Sequence, residues 1–265
     1  MHEIFLTFDV EEFDLPLEYG SPISLTEQIE ISRQGLILIN QILDNLSIRA
    51  TFFITGTFAL HNKELVRKLS LKHEIASHAM FHGSFDSKKD LADSKNILEE
   101  ITGKQVTGFR RPFLKPVNEP DLVEAGYWYN SSLNPTHIPR RYNNFDKPLT
   151  PFFYDQILNI PVSVSPYMRI PLFWLSFKNF PMPYFRFLSN LTLRKNGFLN
   201  LYFHPWEFTD ISSVNLPRYM KRHSGAFLLD RLEKYLQWLK EKGEFITLHE
   251  YAETICSKKG SLIQK

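Results

Sequence analysis

At 265 residues the chain is long enough to bury a full-sized core and falls in the range of one α/β barrel-like domain. Its 31 Lys+Arg against 29 Asp+Glu leave a formal charge of +2, with the basic residues scattered rather than gathered in an arm or stripe, which argues against nucleic acid as a partner. The single cysteine, Cys256, excludes an intrachain disulfide and fits a reducing compartment, so a cytoplasmic location is expected.

The first residues lack a basic segment followed by an apolar run, so no signal peptide is expected. Residues 4–8 read as a short strand that runs into acidic residues. Residues 24–46 carry a helical pattern, with Leu25 and Ile29 four apart and Leu36, Ile39, Leu43 and Leu46 at spacings of three and four. A strand is expected at 50–54, then a helix at 60–70, a strand at 73–77 and a helix at 87–100. The alternation continues with a strand at 105–109, a short helix at 120–125, a strand-like 127–129, and strands at 156–161 and 198–203. An amphipathic helix at 225–242, a strand at 245–247 and a helix from 248 to 256 close the series. Repeated strand-to-helix units predict an α/β fold, a distorted (β/α) barrel of parallel strands with outer helices, as one catalytic domain over 1–265.

Two stretches break the alternation: 134–150, polar and turn-rich, and 166–196, aromatic and basic. Both are long enough to form part of a site. The second is too often interrupted, by Arg169, Lys178, Arg186 and four prolines, to span a membrane. Its aromatic and basic residues at 172–195 fit either a peripheral membrane contact or a homo-oligomer interface, and a homo-oligomer is the favoured expectation.

Four polar islands stand beside the apolar stretches: Asp9 to Glu11, His78 to His82, Arg110 to Pro112 and His204 to Glu207. Ionisable groups at the ends of buried strands are costly unless paired or metal-bound, so the islands read as one site. The period of two along a strand puts Asp9 and Glu11 on one face while Val10 turns into the fold. Two such carboxylates can bind a metal together or divide into base and ligand. Glu12 is expected to be solvated.

His78 and His82 are four apart and can meet one cation if the local chain makes a turn. Two histidines and a carboxylate leave coordination positions for water and substrate, which suits catalysis; Zn²⁺ is the first expectation, with Co²⁺, Mn²⁺ or Ni²⁺ suited to the same donors. Arg110, stiffened by Pro112, can clamp a carboxylate of the substrate or of Asp9 through two parallel hydrogen bonds, while Arg111 is expected to face solvent. His204, beside Trp206, suits a general acid because its pKa lies near working pH.

Taken in order, LTFDVEEFD (6–14), ATFFITG (50–56), HEIASHAMFH (73–82), GFRRPF (108–113), GYWYNSSL (126–133), LYFHPWEF (201–208) and FITLHEY (245–251) resemble the motifs of the metal-dependent polysaccharide deacetylases, carbohydrate esterase family 4. The resemblance covers nearly the whole chain. It implies a metal-dependent hydrolase that removes N-acetyl groups from amino-sugar units of a polysaccharide, peptidoglycan or lipid-linked saccharide. By position, Asp9 matches the catalytic base, His78 and His82 the metal histidines, Arg110 the arginine that orients the base, and His204 the catalytic acid. The commonest pattern has two adjacent aspartates where this chain has Asp9 and Val10. A less common branch, often FDVED, spaces the acids one residue apart, and Glu11 matches its metal ligand. That branch also holds metal-independent hydrolases of small cyclic ureides, the alternative reading. Tyr127, Trp128, Tyr129, Tyr167, Phe173, Trp174 and Trp206 are candidates for stacking on sugar, and Met168 and Arg169 for a substrate-facing segment.

Overall fold

The computed structural model describes residues 2–139 and 141–263. Strand β1 (Glu3–Val10) is buried along nearly its whole length, which is what a strand covered on both faces requires. It lies between β10 (Phe198–Phe203) and β2 (Thr51–Ile54), and the sheet continues through β3 (Glu74–Ser77), β4 (Gly108–Phe109), β5 (Tyr129–Asn130) and β9 (Ile157–Asn159), all parallel. An antiparallel β8 (Phe152–Tyr154) ends the row, and β11 (Glu244–Phe245) pairs with the first residues of β1. A separate hairpin, β6 (His137–Ile138) with β7 (Tyr142–Asn143), lies in the first of the two irregular stretches. The helices are α1 (Leu15–Glu18), α2 (Leu25–Leu46), α3 (Gly56–His61), α4 (Lys63–Leu69), α5 (Ser87–Thr102), α6 (Glu119–Glu124), α7 (Trp174–Asn179), α8 (Met182–Asn196), α9 (Arg218–Lys221), α10 (Ala226–Lys240) and α11 (Leu248–Ile263).

Side chains alternate across β1, and the alternation sorts the interior into layers. Ile4, Leu6, Phe8 and Val10 join the main apolar cluster with residues of the outer helices, among them Leu36, Ile39 and Leu43 of α2 and Leu232 and Leu236 of α10. Phe5 points the other way, into a second cluster with Phe53, Ala76, Tyr129, Leu158 and Phe198 that Leu248 and Ala252 of α11 close from one end. Above that apolar plug the inward positions turn polar, beginning with Thr7 and Asp9.

The sheet is curled. Three strand spacings would put β1 and β4 about 14 Å apart if it were flat, yet Arg110, directly after β4, reaches Asp9 and Thr7 of β1 at 2.7 and 2.8 Å. The segment after β9 bends back to β10: the Ser163 amide donates to the Asn200 carbonyl, and the Asn200 amide donates to Ser163 Oγ, both at 2.8 Å. These bonds bring the two ends of the parallel run together, giving the distorted barrel with outer helices that the strand-helix alternation predicts.

The details differ from the periodicity in places with local causes. The expected helix at 60–70 is two helices, because at Asn62 the backbone leaves helical geometry (φ −133°, ψ 37°). The strand expected at 105–109 shortens to two residues. The aromatic and basic stretch holds α7 and α8, whose Trp174, Phe177, Phe185, Leu188 and Leu193 are buried in the core. Most of its apolar surface is therefore spent on folding, and Tyr184 and Phe187 are its large apolar side chains left exposed on α8. Among the described residues no helix is long and apolar enough to cross a membrane.

Candidate active site

The C-terminal ends of the parallel strands carry the four islands to one place, as parallel sheets generally do. Asp9, Glu11, His78, His82 and His204 line a cavity of about 490 Å³. Arg110 stands behind it, fully buried. Its Nη1 donates to Asp9 Oδ1 and Thr7 Oγ1, while Nε and Nη2 donate to the carbonyl and hydroxyl of Ser131 at 3.1 and 2.9 Å. Phe53 lies under the guanidinium at 4.1 Å. The expected two-bond clamp is thus a single bond to Asp9, because the other donors are used to hold the arginine itself. Its burial leaves no route to a substrate carboxylate.

The two histidines do not meet through a helical turn. Ala79 takes a left-handed conformation (φ 64°), and its carbonyl accepts from the Gly56 amide at 3.0 Å. Met80 packs over Gly56, where a Cβ would come within 2.4 Å of Met80 Sδ and oblige that side chain to shift. The result is that both rings face Glu11. His78 Nε2 lies 3.3 Å and His82 Nε2 3.0 Å from Glu11 Oε2. Each ring is held through its other nitrogen: His78 Nδ1–H donates to the Arg110 carbonyl at 2.8 Å, and His82 Nδ1–H to the Asp14 carboxylate at 2.8 Å. Phe113, itself left-handed (φ 59°), packs on the His82 ring at 4.3 Å.

With those tautomers, the lone pairs of two Nε2 atoms and one carboxylate oxygen converge. Glu11 Oε2 is buried and has no hydrogen-bond partner, while Oε1 accepts from the Trp206 indole at 3.3 Å. Buried acceptors facing one another without a donor are costly, so a proton or a cation must supply the positive charge. Donor atoms of Glu11, His78 and His82 all lie within 4.8 Å of one another and fit a small divalent cation, with both histidines oriented in the manner usual for metal ligands. The field is consistent with this. Burial pushes the Glu11 carboxyl up, but His82 and His204 outweigh it and hold Glu11 well below the usual carboxylate range. Burial likewise opposes a charged His82, but Glu11 and Asp14 raise it well above an ordinary imidazole.

His204 follows β10 and caps a short helical turn, Pro205–Phe208. Helix α2 packs against this turn so closely that a Cβ on Gly35 would lie 1.8 Å from the Pro205 carbonyl oxygen. Glu207 Oε1 accepts from both the backbone amide and Nδ1 of His204, at 2.8 and 3.1 Å. The other ring nitrogen, Nε2, lies 3.8 Å from Glu11 Oε1 at the cavity wall. Burial opposes a charge on His204, yet Glu11 and Glu207 raise its pKa.

Other expected positions move. Glu12 is buried, not solvated, and accepts from Thr55 at 3.0 Å; burial raises its carboxyl pKa. Arg111 is half-buried against Phe85 and the Pro116 carbonyl. Phe173, Trp174 and Trp206 line the cavity, whereas Tyr127 and Tyr129 are core residues and Trp128 stacks on His249 at the opposite end of the barrel. Tyr167 and Met168 stand about 70 % exposed away from the cavity, and Arg169 turns toward the Pro135 and Lys147 carbonyls. Sequence reasoning assigned no role to Asp14, Glu207, Lys178 or the lining residues Tyr19, Tyr142, Tyr202 and Tyr219. Glu207 follows His204 by three residues, the spacing of a capping box, and that spacing was the available signal, whereas nothing in the position of Asp14 within the acidic run points to His82, 68 residues away.

Residues 37–126 match the family model described as polysaccharide deacetylase, a span that contains His78, His82 and Arg110 but not Asp9, Glu11 or His204. No curated protein matches the chain. Among solved structures, a Mycobacterium smegmatis protein assigned as a polysaccharide deacetylase shares the fold at TM-score 0.66 and 20% identity, over 97% of this chain and 91% of that one. A Pseudomonas aeruginosa PAO1 protein with the same assignment gives 0.63 at 15% identity, over 95% and 89%. An allantoinase gives 0.64 at 16% identity, also over 95% and 89%.

Proposed function

We propose that the protein is a metal-dependent hydrolase that removes N-acetyl groups from amino-sugar units of a polysaccharide, peptidoglycan or lipid-linked saccharide. The observation that carries this reading is the convergence of Glu11 Oε2 with His78 Nε2 and His82 Nε2, at 3.3 and 3.0 Å, in a buried pocket with an unpartnered oxygen. The family match and the shared fold support a deacetylase-type hydrolase. Zn²⁺ suits two imidazoles and one carboxylate, and Co²⁺, Mn²⁺ or Ni²⁺ would accept the same donors.

A divalent cation held by Glu11, His78 and His82 would polarise the acetyl carbonyl and acidify a water molecule. Asp9, oriented by the Arg110 hydrogen bond at 2.7 Å, takes the proton of the attacking water. His204 presents Nε2 to the cavity and gives a proton to the departing amine as the C–N bond breaks. Phe173, Trp174, Tyr142, Tyr202 and Trp206 supply apolar faces on which a sugar ring can stack. On the sequence evidence we also propose a cytoplasmic homo-oligomer, with peripheral membrane contact as the rival role for the exposed part of α8; sizing in solution and vesicle co-sedimentation separate the two.

One observation favours a second reading. Both irregular stretches wall the cavity, the first through Ile138, Pro139, Arg141 and Tyr142 and the second through Phe173, Trp174 and Leu175, which suits a compact substrate such as a small ureide. That reading, a metal-independent cyclic amidohydrolase, leaves the three convergent acceptors without a cation. Acetate release from N-acetylated oligosaccharides by chelator-treated protein, before and after Zn²⁺ or Co²⁺ is restored, decides between them. Metal-restored release supports the deacetylase; no release, with ring opening of a cyclic ureide in chelator, overturns it.

A further inference from the structure

Lys178 is a buried cation that the proposed reaction does not use. Its side chain is fully inaccessible, lying 5.4 Å over the Trp174 ring and 5.9 Å over the Trp206 ring. Nζ donates to the Met220 carbonyl at 2.8 Å and to Ser224 Oγ at 3.2 Å, and lies 3.5 Å from Glu207 Oε2. That oxygen has no hydrogen-bond partner, so the lysine charge is what compensates it. The other oxygen of Glu207 holds His204 twice, at the backbone amide and at Nδ1. Isolated buried charges are costly, and a buried ion pair is seldom more stabilising than apolar side chains of the same volume. A line of ionisable groups running from the core to the cavity wall therefore needs a reason beyond stability, since an apolar trio would fill the same space at lower cost.

We infer that Glu207 and Lys178 are positioning residues for His204: the ion pair fixes Glu207 so that His204 keeps its proton on Nδ1 and aims Nε2 at the substrate amine. This rests on the reading of His204 as the acid proposed above. In the step concerned, the tetrahedral adduct of water and the acetyl carbon collapses. The C–N electron pair leaves with the nitrogen, which takes the proton from Nε2 of the imidazolium; acetic acid, ionising to acetate, and the free amine result, and His204 is left neutral with its Nδ1–H still on Glu207. A histidine lacking the Glu207 anchor could rotate or carry the wrong tautomer, and the acid would be lost at the leaving group alone.

Leaving-group dependence isolates this role. An N-acetylglucosamine oligomer releases an amine that must be protonated, whereas p-nitrophenyl acetate releases a phenolate that need not be. Both substrates are followed with the metal-loaded wild type, His204→Ala, Glu207→Gln, and the double variant Lys178→Met with Glu207→Gln, which strands no buried charge. General acids contribute about 10²–10⁴-fold. We expect Glu207→Gln and the double variant to lose about 10–100-fold in kcat on the oligomer with KM nearly unchanged, to change less than about threefold on the aryl ester, and to keep wild-type metal content. His204→Ala should show the same selectivity, larger. Equal losses on both substrates, or full activity on the oligomer in both Glu207 variants while His204→Ala fails, overturn the inference and leave the reaction assignment standing. A metal-loaded wild type inactive on the oligomer, or His204→Ala with normal oligomer turnover, overturns the reading of the acid and this inference with it.

Discussion

The two ends of the barrel hold cavities of similar size, about 490 Å³ at the C-terminal ends of the strands and about 460 Å³ at the opposite end, and both are lined by histidines and carboxylates. They differ in how the polar groups are satisfied. At the lower end Glu74 accepts from Tyr129 Oη at 2.5 Å, from Thr51 Oγ1 at 2.7 Å and from the His249 amide at 2.9 Å, tying three elements together. His73 sits between the Ala50 amide, which donates to Nδ1, and Asn40 Oδ1, which accepts from Nε2–H. The acceptors at that end meet donors. At the upper end Glu11, His78 and His82 turn acceptors toward one another, and their outer atoms are pinned so that they cannot turn away. A fully satisfied polar cluster stabilises a fold; a pinned, unsatisfied one is prepared to bind.

Substitutions at the upper end should act on chemistry and metal. His78→Ala or Glu11→Gln is expected to abolish turnover together with bound metal, read by acetate release and by elemental analysis of the purified protein. Asp9→Asn should lose about 10²–10⁴-fold in kcat while retaining metal. Asp14→Ala frees the His82 ring and is expected to weaken metal affinity about 10–100-fold, measured by competition with a chelating dye.

At the lower end the effects should fall on stability alone. Glu74→Ala leaves the Tyr129 hydroxyl and the His249 amide without their acceptor and should cost about 1–3 kcal/mol in denaturant unfolding, with kcat unchanged. Burial lowers the His73 pKa to about 4 from 6.5, so between these values the unfolded chain binds the proton more readily. Stability should therefore be complete above pH 6.5, fall as pH drops toward 4 and level off below, with an amplitude on the order of 3 kcal/mol. His73→Asn should flatten that slope, checked by urea midpoints across the window. The smallest effect is expected from Tyr167→Ala, which removes an exposed ring that touches no part of the cavity and should leave activity on oligosaccharides unchanged.

Much of the framework was legible because periodicity reports burial. Strand β10 and helix α2 fall at or within a residue of their expected bounds, since each shows a strong period and α2 starts at a Ser24 cap. The six polar positions were visible because charge at the end of an apolar strand is anomalous. What was hidden depends on tertiary geometry. The aromatic and basic stretch looks alike in sequence whether it covers a membrane or fills a core, and the burial of Phe177, Phe185 and Lys178 follows only from how α7 and α8 pack. Glu12 looks like solvated acid until Thr55 of the neighbouring loop is seen to meet it. That Asp14 would hold His82 is set by loop conformations with left-handed residues such as Ala79 and Phe113 that no pattern of hydrophobicity encodes.

The central claim is that the unsatisfied cluster takes one divalent cation and that deacetylation needs it. Titration of Zn²⁺ into chelator-stripped protein, followed by calorimetry and by acetate release from N-acetylated oligosaccharides in the same samples, tests it directly. The expected result is one equivalent bound, activity rising in proportion to it, and neither in Glu11→Gln. Activity already complete in the stripped protein, or one equivalent of zinc bound equally by Glu11→Gln, would contradict the account.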